Sequence, residues 1–191
     1  IIVFCFSFFI FHSQLLTQPF VRQTEPFPVQ ANGSAIAQPF AGGVNSPHHQ
    51  FVDIDADGDF DLFIFDVDLI VDFYRNEGTR FAPNFKLRTG LFTVPPVQSW
   101  FRLVDFDGDG KLDFCTEDSL FSGIRVYKNT GTVQQPQFTL FIPTLRDESG
   151  ADVYAGGNSI PAFADIDADG DLDLFTANLA GSINFYRNVG S

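Results

Sequence analysis

From residue 48 onward the chain alternates short apolar stretches with clusters of Asp, Asn, Gly and Pro. In the first such stretch the pattern predicts strands over residues 50–54, 60–65, 69–76 and 85–91. These segments are rich in Val, Ile, Phe and Tyr, which suit a pleated surface, and turn-forming residues separate them. Leu62-Phe-Ile-Phe65 is apolar at every position. Strict alternation would mark a sheet with one wet face, so this run predicts a strand covered on both faces. Four short strands repeating every 50–60 residues predict an all-β fold of four-stranded antiparallel sheets stacked as β-propeller blades. About three blades are expected, fewer than close a ring, so further blades of the same chain, or assembly with other copies, are expected too. Upstream, Val29-Gln-Ala-Asn-Gly-Ser-Ala-Ile36 reads as a hairpin turning at Asn32-Gly33.

The chain opens on an apolar run, Ile1 to Phe11. Eleven residues are too few for a membrane span, which needs roughly 20. The run fits the apolar centre of a secretory signal peptide that has lost its basic start. The expected organisation is a truncated signal peptide over 1–17, a lead-in with the hairpin over 18–40, and repeats over about 41–92, 93–144 and 155–191, the last cut short.

The repeat is explicit in three segments: Asp53-Ile-Asp-Ala-Asp-Gly-Asp-Phe-Asp61, Asp105-Phe-Asp-Gly-Asp-Gly-Lys-Leu-Asp113 and Asp165-Ile-Asp-Ala-Asp-Gly-Asp-Leu-Asp173. Their starts lie 52 and 60 residues apart. Each is followed by a second signature: Tyr74-Arg-Asn-Glu-Gly, Tyr127-Lys-Asn-Thr-Gly and Tyr186-Arg-Asn-Val-Gly.

Four or five carboxylates within nine residues repel one another, and a hard cation reverses that repulsion. Ca²⁺ takes six to eight oxygens, which carboxylates at alternate positions supply when the backbone turns sharply. Gly58, Gly110 and Gly170 permit that turn. The expected ligands are the carboxylates of Asp53, Asp55, Asp57 and Asp61, of Asp105, Asp107, Asp109 and Asp113, and of Asp165, Asp167, Asp169 and Asp173. Position seven is Asp59, Lys111 and Asp171; because a lysine cannot ligate Ca²⁺ through its side chain, this position is expected to act through its backbone carbonyl. Asp59 and Asp171 then face solvent, and Lys111→Ala leaves metal binding nearly intact. The apolar residues at positions two (Ile54, Phe106, Ile166) and eight (Phe60, Leu112, Leu172) are expected to anchor the loops in the core. An EF-hand is excluded: it needs a bidentate Glu at position twelve, where this chain has Ile64, Thr116 and Thr176.

Composition sharpens the picture. The 24 acidic side chains are almost all Asp, against 11 basic ones, for a formal net charge of −13. That charge repels phosphate backbones and argues against a nucleic-acid partner. Fourteen of the acidic residues fall in the three loops, so the acidity counts metal sites. Only Cys5 and Cys115 are present; with the leader removed no internal disulfide remains, and bound metal is the expected staple. Cys115 reads as a small buried hydrophobe. His48-His49 reads as an exposed loop, and no nucleophile elbow, phosphate loop or dinucleotide fingerprint occurs, so no enzyme is expected.

The units resemble the FG-GAP/VCBS family, the Ca²⁺-loop blades of integrin α-subunit propellers and of many secreted bacterial proteins. Phe163-Ala-Asp-Ile-Asp-Ala-Asp-Gly-Asp-Leu-Asp-Leu-Phe175 and the Tyr-Arg-Asn-x-Gly signature carry the resemblance, which spans about residues 40–191. It implies an extracellular propeller segment with about three structural Ca²⁺ ions, serving adhesion or binding to another protein or a glycan. A part of a secreted carbohydrate-active enzyme and a lectin are the alternatives; for the lectin, Trp100 is the candidate stacking group. Variable loops near residues 66–69, 117–123, 144–156 and 178–181 are the expected partner surface.

Overall fold

The computed structural model describes residues 28–36, 44–88, 90–91, 93–118, 120, 122–155, 159–178 and 180–190. The signal-peptide reading of 1–17 lies outside them, as do residues 18–27 and 37–43. Among the described residues there are thirteen strands and no helix, hence no helix long and apolar enough to cross a membrane.

β1 (Val29–Ala31) and β2 (Ser34–Ile36) pair antiparallel. Asn32 and Gly33 between them take φ of 51° and 79°, the left-handed pair that matches strand twist in a two-residue turn. The repeats follow as three antiparallel meanders. The first sheet is β3 (His48–Val52), β4 (Asp61–Phe65), β5 (Val71–Asn76) and β6 (Phe85–Leu87). The second is β7 (Phe101–Val104), β8 (Asp113–Glu117), β9 (Ile124–Asn129) and β10 (Phe138–Ile142). The third is β11 (Ala162–Ala164), β12 (Asp173–Ala177) and β13 (Ile183–Tyr186). The fold is all-β, and the four-stranded meanders match propeller blades.

Register is the same in each unit. Val52 pairs with Asp61, Val104 with Asp113 and Ala164 with Asp173, so each Asp loop closes the hairpin between the first two strands. Leu62, Phe114 and Leu174 lie opposite Tyr74, Tyr127 and Tyr186.

The core lies between the sheets. Phe63, Phe65 and Phe73 of the first sheet meet Phe101, Leu103 and Phe114 of the second. The Phe63 ring sits 4.8 Å from Phe73 and 6.3 Å from Phe101, and Phe101 stacks on Phe114 at 5.8 Å. Such pairs add about 0.5–1.5 kcal/mol each beyond their buried area. A second cluster joins Trp100, Cys115, Ile124 and Val126 to Leu174 of the third sheet and to Val153 and Ala155. The middle sheet is thus covered on both sides, and every residue of β8 is buried. Phe114 faces one cluster and Cys115 the other, as expected for a small buried hydrophobe.

Several expectations change. The strand covered on both faces is β8; in β4 Leu62 and Ile64 are only half-buried, because no described sheet packs on that side. Of the apolar loop residues only Ile54 is buried, under the second sheet. Phe106, Leu112 and Leu172 are half-buried, while Phe60 and Ile166 are exposed at 64% and 57%. His48 and His49 lie on strand β3, not in a loop, and His48 Nδ1 sits 2.7 Å from the Ser99 carbonyl oxygen. Trp100 is 2% exposed, so it packs the core and offers no stacking platform for a sugar.

Candidate functional site

Each Asp loop is wound by its own side chains. The carboxylate at position one accepts backbone N–H groups from further along the loop. Asp53 receives those of Asp57 and Gly58 at 3.1 and 3.0 Å, and Asp165 those of Asp169 and Gly170 at 3.2 and 3.1 Å. Asp105 receives that of Gly110 at 2.9 Å. Position five then accepts from position seven: Asp57 from Asp59, Asp109 from Lys111, Asp169 from Asp171. The sixth-position glycines take φ of 94°, 83° and 97°, which other residues adopt only at a cost. Position four is also left-handed, at Ala56, Gly108 and Ala168.

This winding brings positions one, three and five together. In Asp53/Asp55/Asp57, Asp105/Asp107/Asp109 and Asp165/Asp167/Asp169 one oxygen per residue lies within 4.8 Å of the others. These three acidic triads could hold metal ions.

Position nine behaves differently. Asp61, Asp113 and Asp173 are each 1% exposed. Their Oδ1 atoms accept the backbone N–H of Asn76, Asn129 and Asn188 at 2.7, 2.7 and 2.8 Å. In the second and third loops Oδ2 accepts from Phe106 and Ile166 N–H, both at 3.1 Å. The ninth carboxylate therefore ties the loop to the Tyr-x-Asn signature of the third strand. The Asn side chain continues the chain of contacts. Asn76 Oδ1 accepts from Gly78 and Asn84, and Asn129 Oδ1 from Gly131 and Gln137. A Cβ on Gly78 or Gly131 would lie 2.2 or 2.3 Å from a backbone carbonyl oxygen, which fixes glycine in the signature.

Position seven does not face open solvent: Asp59, Lys111 and Asp171 are all half-buried. Lys111 Nζ donates to the Asn129 carbonyl at 2.9 Å and pairs with Asp109 at 3.2 Å.

A fit to a cation rests on orphaned oxygens. Asp55 Oδ1, Asp59 Oδ1 and Asp105 Oδ1 are buried yet have no hydrogen-bond partner. A buried carboxylate oxygen without a donor is costly, and a hard cation is the partner that acceptor-only groups at this density can share. Burial pushes the Asp61 carboxyl up to about 6 against the hydrogen bonds from Asn76 and Ile54 N–H, with the charges of Asp55 and Asp57 adding to the rise. Burial also raises Asp55, opposed by Arg75, and Asp113, opposed by the Asn129 N–H.

Sequence reasoning missed the basic residue beside each loop. Arg75 pairs with Asp55 at 2.5 Å and Asp57 at 3.7 Å; Lys128 pairs with Asp107 and, at 3.3 Å, Asp109; Arg187 pairs with Asp167 at 3.3 Å. The signal was present, since all three signatures place Arg or Lys between Tyr and Asn. The residues thirteen places after each first Asp were also missed as caps. Asp66 accepts from Asn45, Ser46 and Val67, Asp118 from Leu120 and Ser122, and Asn178 from Ala180 and Ser182. The turns read as partner loops are thus partly occupied in holding themselves. In the longer insertion Val153 and Ala155 are buried.

No curated protein and no solved structure matches the chain. The family model described as an FG-GAP-like repeat matches residues 105–176, from the first Asp of the second loop into β12.

Proposed function

We propose that the chain is a Ca²⁺-binding segment of β-propeller blades, working outside the cell as a surface for another protein or a glycan, with the metal structural. The carrying observation is the set of orphaned carboxylate oxygens inside the first and second Asp loops. The recurrence of the triad in all three units supports it. Asp53, Asp55 and Asp57 and their counterparts would hold the ion. Ca²⁺ would supply positive charge where acidic side chains crowd, fixing each first hairpin against its neighbour. Extracellular Ca²⁺ modules bind at about 10⁻⁴–10⁻³ M, a range that suits millimolar external Ca²⁺. The single described thiol, Cys115, is buried and unpaired, so metal is the staple open to this part of the chain. Melting curves in 2 mM-scale Ca²⁺ and in EDTA test the reading. A clearly higher midpoint with Ca²⁺ is expected, and superimposable curves would overturn it.

A further inference from the structure

The three Asp loops share a winding but differ in the positive charge already inside them. The first has five Asp, with Arg75 beside it. The third has five Asp, with Arg187 beside it. The second has four Asp and two ammonium groups. Lys128 reaches Asp107 and Asp109, and Lys111 reaches Asp109 at 3.2 Å. Counting these contacts, the formal charge is −4 for the first and third loops and −2 for the second. The first loop also contains the orphaned oxygens of Asp55 and Asp59, and the second has one such oxygen, on Asp105.

We propose that Lys111 and Lys128 act as a built-in counter-ion for the second loop, so that Ca²⁺ binds it far more weakly than the first and third. This rests on the Ca²⁺ reading above and revises the expectation that Lys111→Ala is silent. Lys111 occupies the position that in the other loops is Asp, and its ammonium also holds the Asn129 carbonyl at 2.9 Å. It thereby bridges loop and signature, the connection the ion would otherwise reinforce. The middle sheet, packed on both sides, then keeps its hairpin when Ca²⁺ is low, while the outer two respond to the ion. The second loop has one cation more than the first or third, and one extra positive charge about 5 Å from a divalent ion weakens its binding by about tenfold, even at the dielectric of water.

The test is calorimetric titration of CaCl₂ into the full chain at low ionic strength. The wild type is expected to show two sites of similar affinity and a third weaker by about tenfold or more. Asp53→Asn and Asp165→Asn should each remove one strong site, and Asp105→Asn neither. Lys111→Gln with Lys128→Gln should bring the third site to within a few-fold of the others, and each single change should act part of the way. Circular dichroism of every variant checks that the sheets persist. Three equal sites in the wild type, or a third site unmoved by both single and double changes, would overturn the counter-ion role while leaving Ca²⁺ binding intact. No Ca²⁺ binding by wild type or variants would overturn both readings.

Discussion

Gln50 and Leu103 exchange two hydrogen bonds across the first and second sheets. Gln50 Nε2 donates to the Leu103 carbonyl at 2.7 Å, and Gln50 Oε1 accepts the Leu103 N–H at 2.8 Å. One amide thus satisfies both polar groups of a residue in β7, which otherwise meet an apolar interface. The equivalent residue of the next unit, Arg102, donates to the Pro161 carbonyl at 3.2 Å and repeats the link toward the third sheet. Gln50→Ala strands a backbone N–H and C=O, and should lower stability by about 1–3 kcal/mol. Gln50→Glu should cost at least as much, because one carboxylate oxygen would face the Leu103 carbonyl. Urea unfolding of the three proteins measures this. Equal midpoints would show that water replaces the amide without loss.

The ninth Asp of each loop is expected to stabilise the fold with or without metal. Asp113 is buried and accepts N–H groups from Phe106 and Asn129. An Asn there keeps one acceptor oxygen and turns an NH₂ toward the other N–H. Asp113→Asn should therefore cost about 2–3 kcal/mol in EDTA. Asp107→Asn, at an exposed position, should cost under about 1 kcal/mol under the same conditions. Equal effects in EDTA would mean that the ninth position acts only through metal.

Much of this was legible because the chain repeats itself. The Asp loops, the strand order and the Asn32-Gly33 turn follow from local rules that three-fold recurrence reinforces. What remained hidden depends on which sheet lies next to which. Leu62 and Phe114 occupy the same place in the repeat, yet Leu62 is half-buried and Phe114 is 0% exposed. Trp100 is a surface aromatic or a core one according to whether a third sheet covers it. The bonds of Gln50 reach across sheets, so nothing in its own neighbourhood in sequence announces them, whereas Arg75 shows only as the recurring basic residue between Tyr and Asn.

Trp100 provides a direct test of that packing. Its side chain fills the cluster shared by the second and third sheets. Trp100→Ala should cost about 3–5 kcal/mol, through a large cavity, and Trp100→Phe distinctly less. Thermal unfolding followed by circular dichroism reads both. A Trp100→Ala protein as stable as the wild type would place the side chain outside the core.

The response to pH should invert with Ca²⁺. In EDTA the folded state holds Asp61 with its carboxyl raised to about 6, well above its value in an unfolded chain. Asp55 and Asp113 are shifted the same way. A carboxyl that binds its proton more tightly when folded loses stability as pH rises through that range. Without metal, stability should therefore increase as pH falls from about 7 to 5. Below the ordinary carboxylate range it should fall again. There Asp118, held low because N–H groups of Ser122, Gly123 and Leu120 outweigh its desolvation, loses those bonds on protonation. With Ca²⁺ present, protons compete with the ion for the same oxygens, so the gain in melting temperature from Ca²⁺ should shrink as pH falls from 7 to 5. Melting curves at pH 7, 5 and 3, with Ca²⁺ and with EDTA, check both slopes. A Ca²⁺ gain that stays constant from pH 7 to 5 would mean that the ion is held by groups other than these carboxylates.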